Sequence, residues 1–191
     1  MKSDTSAKAS RSVKRTVWNV ARIIAVVVVL SFVAREFLFT NYIVYGKSMM
    51  PTIHDGERII VNKFNYEINQ PNRFDLIIFH ANEESDYIKR VVGLPGDELY
   101  YEDDILYVND EPISEDYLDY HREQYDGEPF TEDFTLEEVT SETVVPDGHV
   151  FVLGDNRQNS VDSRDIGFVP LEEIVGRVNM AFWPPKSVRF F

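Results

Sequence analysis

The longest uncharged apolar stretch of the chain reads IIAVVVVLSFVA, from Ile23 to Ala34. Extended to residues 17–39 it covers 23 residues, roughly 35 Å as a helix at about 1.5 Å per residue, enough to cross a bilayer. Its run of consecutive valines leaves no polar face, unlike a helix packed on a soluble core. Arg22 and Arg35 can snorkel from the two ends, and Trp18 suits an interface. A cleavable secretion signal would need small residues two apart after the apolar run. The nearest such pair is Phe32 and Ala34, and Phe32 is too large, so an uncleaved signal anchor fits better. Lys2, Lys8, Arg11, Lys14 and Arg15 precede it and are expected to stay cytoplasmic by the positive-inside rule.

Beyond residue 40 the pattern changes. Tyr42–Tyr45, Arg58–Val61, Leu76–Phe79, Tyr87–Val92, Glu98–Tyr101, Ile105–Val108, Val150–Leu153 and Val175–Phe182 are short β-branched or aromatic runs. Turn residues separate them, as in Asp55-Gly56, Pro95-Gly96-Asp97 and Gly154-Asp155-Asn156. This predicts a mainly β domain with antiparallel sheets, and one short helix beginning at Pro170. Residues 109–143 are acidic and weakly patterned and read as an inserted loop or small outer subdomain. The expected organisation is a basic cytoplasmic segment at 1–16, a transmembrane anchor at 17–39 and an extracytoplasmic domain at 40–191.

Charge sharpens this division. Residues 1–35 balance to +6 in a 191-residue chain of net charge −14, which leaves −20 for the rest. An acidic body argues against nucleic acid as a partner, because that binding needs cations to displace counterions. The chain has no Cys, which removes disulfides and thiolate chemistry. The four histidines, His54, His80, His121 and His149, lack metal-ligand spacing, and nothing calls for a metal or organic cofactor. An outward-facing enzyme would then rely on an oxygen nucleophile or a carboxylate pair.

Two segments carry candidate chemistry. Gly46-Lys47-Ser48-Met49-Met50-Pro51-Thr52 places a serine in a turn with apolar flanks. Tyr87-Ile88-Lys89-Arg90-Val91-Val92 interrupts an apolar strand with two cations, which a strand must send to opposite faces. A lysine in such a place either guards a sheet edge or lies buried beside a hydroxyl. With Arg73–Phe79, Tyr87–Asp97 and Gly154–Gly167, the Ser48 segment completes four ordered blocks. In these blocks the chain resembles the bacterial type I signal peptidases, in their single-span, Gram-positive-like branch.

The resemblance implies a membrane-anchored serine endopeptidase of the plasma membrane. It would remove signal peptides from preproteins after small residues at positions −3 and −1, without an obligate partner protein. It implies Ser48 as nucleophile and Lys89 as general base, acting through an acyl-enzyme. Ser160 would orient the lysine, while Asp162 with Arg164, and Asp155, would brace the site; Arg90 would be structural. Val44, Met49, Ile53, Ile59, Ile78, Tyr87 and Ile88 would line shallow substrate pockets. One departure stands out: where some relatives carry a serine that donates to the oxyanion, this chain has Gly46. The competing readings are a Ser/His hydrolase using His54 or His80, a self-cleaving Ser/Lys membrane regulator, and a non-catalytic peptide-binding β module.

Overall fold

The computed structural model describes residues 17–31, 39–63, 70–127 and 129–191. The chain divides into two units after residue 38. In the first, residues 17–31 form helix α1, and every described side chain on it is exposed. Among the described residues no helix is long and apolar enough to cross a membrane. Residues 1–16 and 32–38 of the expected cytoplasmic segment and anchor lie outside the described residues. Phe39, the last residue of the expected anchor, belongs to a strand.

The second unit is built on two antiparallel sheets. The larger contains β1 (Phe39–Ile43), β2 (Arg58–Asn62), β3 (Leu76–Asn82), β4 (Ser85–Gly93), β9 (His149–Leu153), β10 (Val169–Pro170), β11 (Ile174–Trp183) and β12 (Arg189–Phe190). Its order is β1-β2-β11-β3-β4-β9-β10, with β12 on β11. The smaller holds β5 (Leu99–Glu102), β6 (Ile105–Val108), β7 (Glu111–Ile113) and β8 (Phe134–Thr135), ordered β7-β6-β5-β8. Short helices α2 (Asp119–Gln124), α3 (Leu136–Thr140) and α4 (Ser163–Ile166) join the strands. The helix expected at Pro170 is a single 3₁₀ turn, Leu171–Glu173, because β11 claims the backbone from Ile174 onward.

Alternating apolar positions seat the sheets. Ile59 and Val61 of β2, Leu76 and Ile78 of β3 and Val178 and Ala181 of β11 form one buried cluster, into which Met49 and Ile53 insert. On another cluster, Ile77, Phe79 and Val91 meet Val150 and Val152. The centre of the large sheet is thus buried on both faces, and its strands read as nearly continuous apolar runs. Gly176 lets β11 lie close against β2: a Cβ there would come within 2.5 Å of the Asn62 carbonyl oxygen.

Of the two readings of the 109–143 segment, an inserted loop or a small outer subdomain, the structure has a segment with elements of its own that packs into the core of the small sheet. It supplies β7, α2, β8 and α3, and it buries Leu118, Phe130, Phe134 and Leu136. Phe134 and Leu136 share a cluster with Leu99, Tyr101, Leu106 and Phe151, so the segment closes the core of the small sheet. Its apolar residues are few and widely spaced, which hides them from a search for periodicity.

Gly176→Ala is expected to destabilise the domain by about 1–3 kcal/mol, because backbone rather than a movable side chain occupies the space. Urea unfolding followed by tryptophan fluorescence checks this; an unchanged midpoint would contradict the close packing.

Candidate active site

The loop from Val44 to Glu57 carries Ser48. Its base is closed by Val44 N–H donating to Glu57 O at 2.9 Å and Gly56 N–H donating to Val44 O at 2.9 Å. Gly46 turns the chain with a φ of +97°, a conformation that favours glycine. Its N–H donates to Asp55 Oδ1 at 2.8 Å and is therefore engaged. Met49 and Ile53 are buried and pull the turn inward, which leaves Ser48 between them and the surface. No acceptor among the described residues takes the Ser48 backbone N–H.

Lys89 enters from β4. The β3–β4 register pairs Ile77 with Lys89 and Leu76 with Arg90, and successive side chains point to opposite faces. Lys89 is only 3% exposed. Its Nζ donates to Ser48 Oγ at 2.9 Å and lies 5.2 Å from the centre of the Tyr87 ring. Burial pulls the Lys89 ammonium down to about 8, against the raising influence of Asp162 and Asp155. Desolvation disfavours the charged form, so an amine far more basic in water is poised near neutrality.

Arg90, on the other face, makes a two-pronged pair with Asp155, Nε to Oδ1 at 2.8 Å and Nη2 to Oδ2 at 2.6 Å. Asp155 follows Gly154 in the turn after β9. Asp162 accepts the Gly154 N–H at 3.0 Å, receives Arg164 Nε at 2.9 Å and caps α4. Asn156 reaches the serine loop directly: its N–H donates to Ser48 O at 2.9 Å and its Nδ2 to Lys47 O at 3.0 Å. Gly154 makes this approach possible, since a Cβ there would meet Ser160 Oγ at 2.2 Å and Ser48 O at 2.7 Å. The Ser160 hydroxyl is buried with no hydrogen-bond partner among the described residues. The expected bond from Ser160 to Lys89 is not formed here; Lys89 spends its described side-chain bond on Ser48.

A cleft of about 330 Å³ opens at Ser48 and Lys89. Of the expected pocket residues, Val44, Ile59, Ile78, Tyr87 and Ile88 line it. Met49 and Ile53 do not: both belong to the core beneath, because the turn needs them as its inward anchors. The cleft is also lined by Tyr42, Ile43 and Tyr45, which precede the Ser48 block, and by Asn159 and Val161, which lie inside the Gly154–Gly167 block but were not singled out in it. Asp86 also lines the cleft and sits 2.6 Å from His80 Nδ1. Burial and then the hydrogen bond to Asp86 push the Tyr42 phenol up to about 12. The histidine thus serves Asp86, and His54 borders a separate cleft beside Pro51 and Arg189. Among the described residues no three carboxylate or histidine side chains gather as a metal site.

Comparison with known proteins gives this geometry a family. The family described as signal peptidase, peptidase S26, matches residues 17–183. A signal peptidase I of Bacillus caldolyticus is 55% identical over 157 residues, covering 82% of this chain and 86% of the relative. A signal peptidase IB of Staphylococcus aureus (strain MRSA252) is 41% identical over 171 residues, covering 87% of this chain and 90% of the relative. A crystal structure of a signal peptidase I from Enterococcus faecalis V583 superposes with a TM-score of 0.54 at 45% identity, covering 58% of this chain and 97% of that one. The chain belongs to the peptidase S26 family of signal peptidases, hydrolases of the bacterial type I class.

Proposed function

We propose that this protein is a membrane-anchored endopeptidase that removes signal peptides from exported preproteins by a Ser48/Lys89 dyad. The observation that carries the reading is the 2.9 Å contact between Lys89 Nζ and Ser48 Oγ, made by a lysine withdrawn from water. A serine hydroxyl becomes a competent nucleophile when a neighbouring base takes its proton. Neutral Lys89 accepts that proton while Ser48 Oγ attacks the scissile carbonyl. The resulting ammonium then protonates the departing amine, leaving an acyl-enzyme. Deprotonated again, Lys89 activates water to release the acyl group.

The Ser48 backbone N–H supplies one donor to the oxyanion. Gly46 supplies none, having no side-chain hydroxyl and an N–H already given to Asp55. Asp155 and Asp162 brace the turn that meets the serine loop, and Arg164 completes the second brace. Ser160 stands at the site as a buried hydroxyl, occupying the space that a side chain on Gly154 would need. The apolar cleft favours small side chains at positions −1 and −3 by excluding bulk. Exposed Val, Ile and Leu side chains along α1 support a lipid-facing anchor, and the basic residues that precede it in the sequence favour a cytoplasmic N-terminus with the catalytic unit outside.

Detergent-solubilised protein is expected to cleave a preprotein ending its signal in Ala-x-Ala. Ser48→Ala and Lys89→Ala should each lower kcat by roughly 10³-fold or more while the fold persists by circular dichroism. Near-normal turnover by Lys89→Ala would sink the dyad. A non-catalytic module would bind the preprotein and leave it whole.

The rate should climb with pH and level off above an apparent pKa near 8, since only the neutral amine is a base. A limb centred instead near 10, the value of an exposed lysine, would contradict burial as the source of the base.

The same burial has a stability cost. The folded pKa lies below the unfolded one, so the penalty is full below about 8 and fades as the unfolded chain also loses its proton toward pH 10.4. Lys89→Met is therefore expected to be inactive yet more stable than wild type at pH 7, by on the order of 3 kcal/mol. Thermal melts between pH 7 and pH 10 should show the two proteins converging as pH rises; parallel curves would refute it.

A further inference from the structure

A second buried ionic cluster lies between the 109–143 segment and the turn that meets Ser48. Arg157 and Glu115 are both buried, and Arg157 Nη2 donates to Glu115 Oε1 at 2.7 Å. The same carboxylate oxygen receives the Tyr101 hydroxyl at 2.7 Å and the Tyr117 hydroxyl at 2.5 Å, while Glu115 Oε2 receives Arg122 at 3.2 Å. Arg157 completes its own set with Tyr101 and Thr131 and, through Nε, with the Gly154 carbonyl at 3.1 Å. A buried guanidinium with this many fixed acceptors has one geometry open to it.

That geometry is transmitted to the nucleophile. Arg157 and Asp155 flank Asn156, the residue that holds the carbonyls of Ser48 and Lys47. From one side the turn is gripped by Arg90 on Asp155, and Arg90 follows the base Lys89 in β4. From the other it is gripped by Glu115 on Arg157. Tyr117 joins the two grips: the Arg90 guanidinium lies 3.9 Å from its ring centre, and Arg157 donates to its hydroxyl at 3.2 Å.

We infer that Glu115 is a positioning residue of the peptidase, setting the place of the Ser48 loop through Arg157 and the 154–157 turn. It touches neither substrate nor reacting atoms. Its carboxylate stands on the segment that composition alone marks as a solvated surface, and it links that segment to the dyad. The inference rests on the Ser48/Lys89 reading for its effect on turnover, and on the hydrogen bonds alone for its effect on the turn.

Two variants of the full chain test it, with preprotein cleavage, thermal melting and amide hydrogen exchange as readouts. Glu115→Gln removes the charge and leaves Arg157 unbalanced; it is expected to lower kcat at least tenfold with KM within twofold. The Asn156 amide should lose protection at the same time. The double variant Glu115→Leu/Arg157→Met removes both buried charges, and such apolar replacements often restore stability. It is expected to recover the melting temperature and the far-ultraviolet spectrum, while kcat stays down and the Asn156 amide stays exposed to exchange.

Recovery of kcat together with stability in the double variant would overturn the inference, since it would leave Glu115 a purely structural role. So would unchanged kcat and protection in a folded Glu115→Gln protein. Full turnover by Ser48→Ala in the same assay would count against the dyad alone. Asn156 protection reads the positioning independently of chemistry, so the two failures are distinct.

Discussion

A lysine amine held out of water is the constraint around which the second unit is organised. Burying a cation is unfavourable, and the usual remedy is a carboxylate in direct contact. Lys89 has no such partner among its hydrogen bonds; it meets a neutral hydroxyl and an aromatic ring instead. Asp155 and Asp162 oppose the loss of its proton, yet each is committed elsewhere, Asp155 to Arg90 and Asp162 to Arg164. Balancing those carboxylates with arginines keeps their pull on Lys89 from restoring the ammonium in full. The charges of the 154–164 turn therefore do two things at once, fixing the backbone and setting how readily Lys89 holds its proton.

The alternation of β4 makes this arrangement possible. Adjacent positions deliver Lys89 to the cleft and Arg90 to the opposite face, so one strand provides both the amine that meets Ser48 and a clamp on the 154–157 turn. A slip of one residue in the β3–β4 register would exchange the two. The buried apolar neighbours Ile77, Ile78 and Val91 oppose that slip, which ties the core directly to the Lys89–Ser48 contact.

Much of this was legible in the chain. Paired cations in an otherwise apolar strand mark Lys89 and Arg90, and turn chemistry marks Ser48 and the 154–156 turn. Short β-branched runs locate most strands to within a few residues. What escaped was set by long-range contacts. The resemblance implies Met49 and Ile53 as pocket walls, but the inward pull of the turn makes them core. Glu115, Tyr117 and Thr131 lie in a segment rich in carboxylates, where one buried acid is indistinguishable from its solvated neighbours until Arg157 arrives from 42 positions away. The orientation of Ser160 depends on the close approach of Gly154, which no local pattern encodes. The expected anchor took in Phe39, which pairs in β1 with Asn62 of β2.

Strand β1 ends the order of the large sheet, with β2 on one side and no described strand on the other. Its last residues, Tyr42 and Ile43, continue into the cleft lining at Val44. A sheet edge of this kind, unpaired among the described strands, can accept an extended peptide by backbone hydrogen bonds. In such a ligand every second side chain faces the same way. Docking along this edge would turn residues −1 and −3 toward the apolar floor together and send −2 outward. A two-position rule for recognising the cleavage point would then be a direct expression of pleat geometry, with the intervening residue left free to vary.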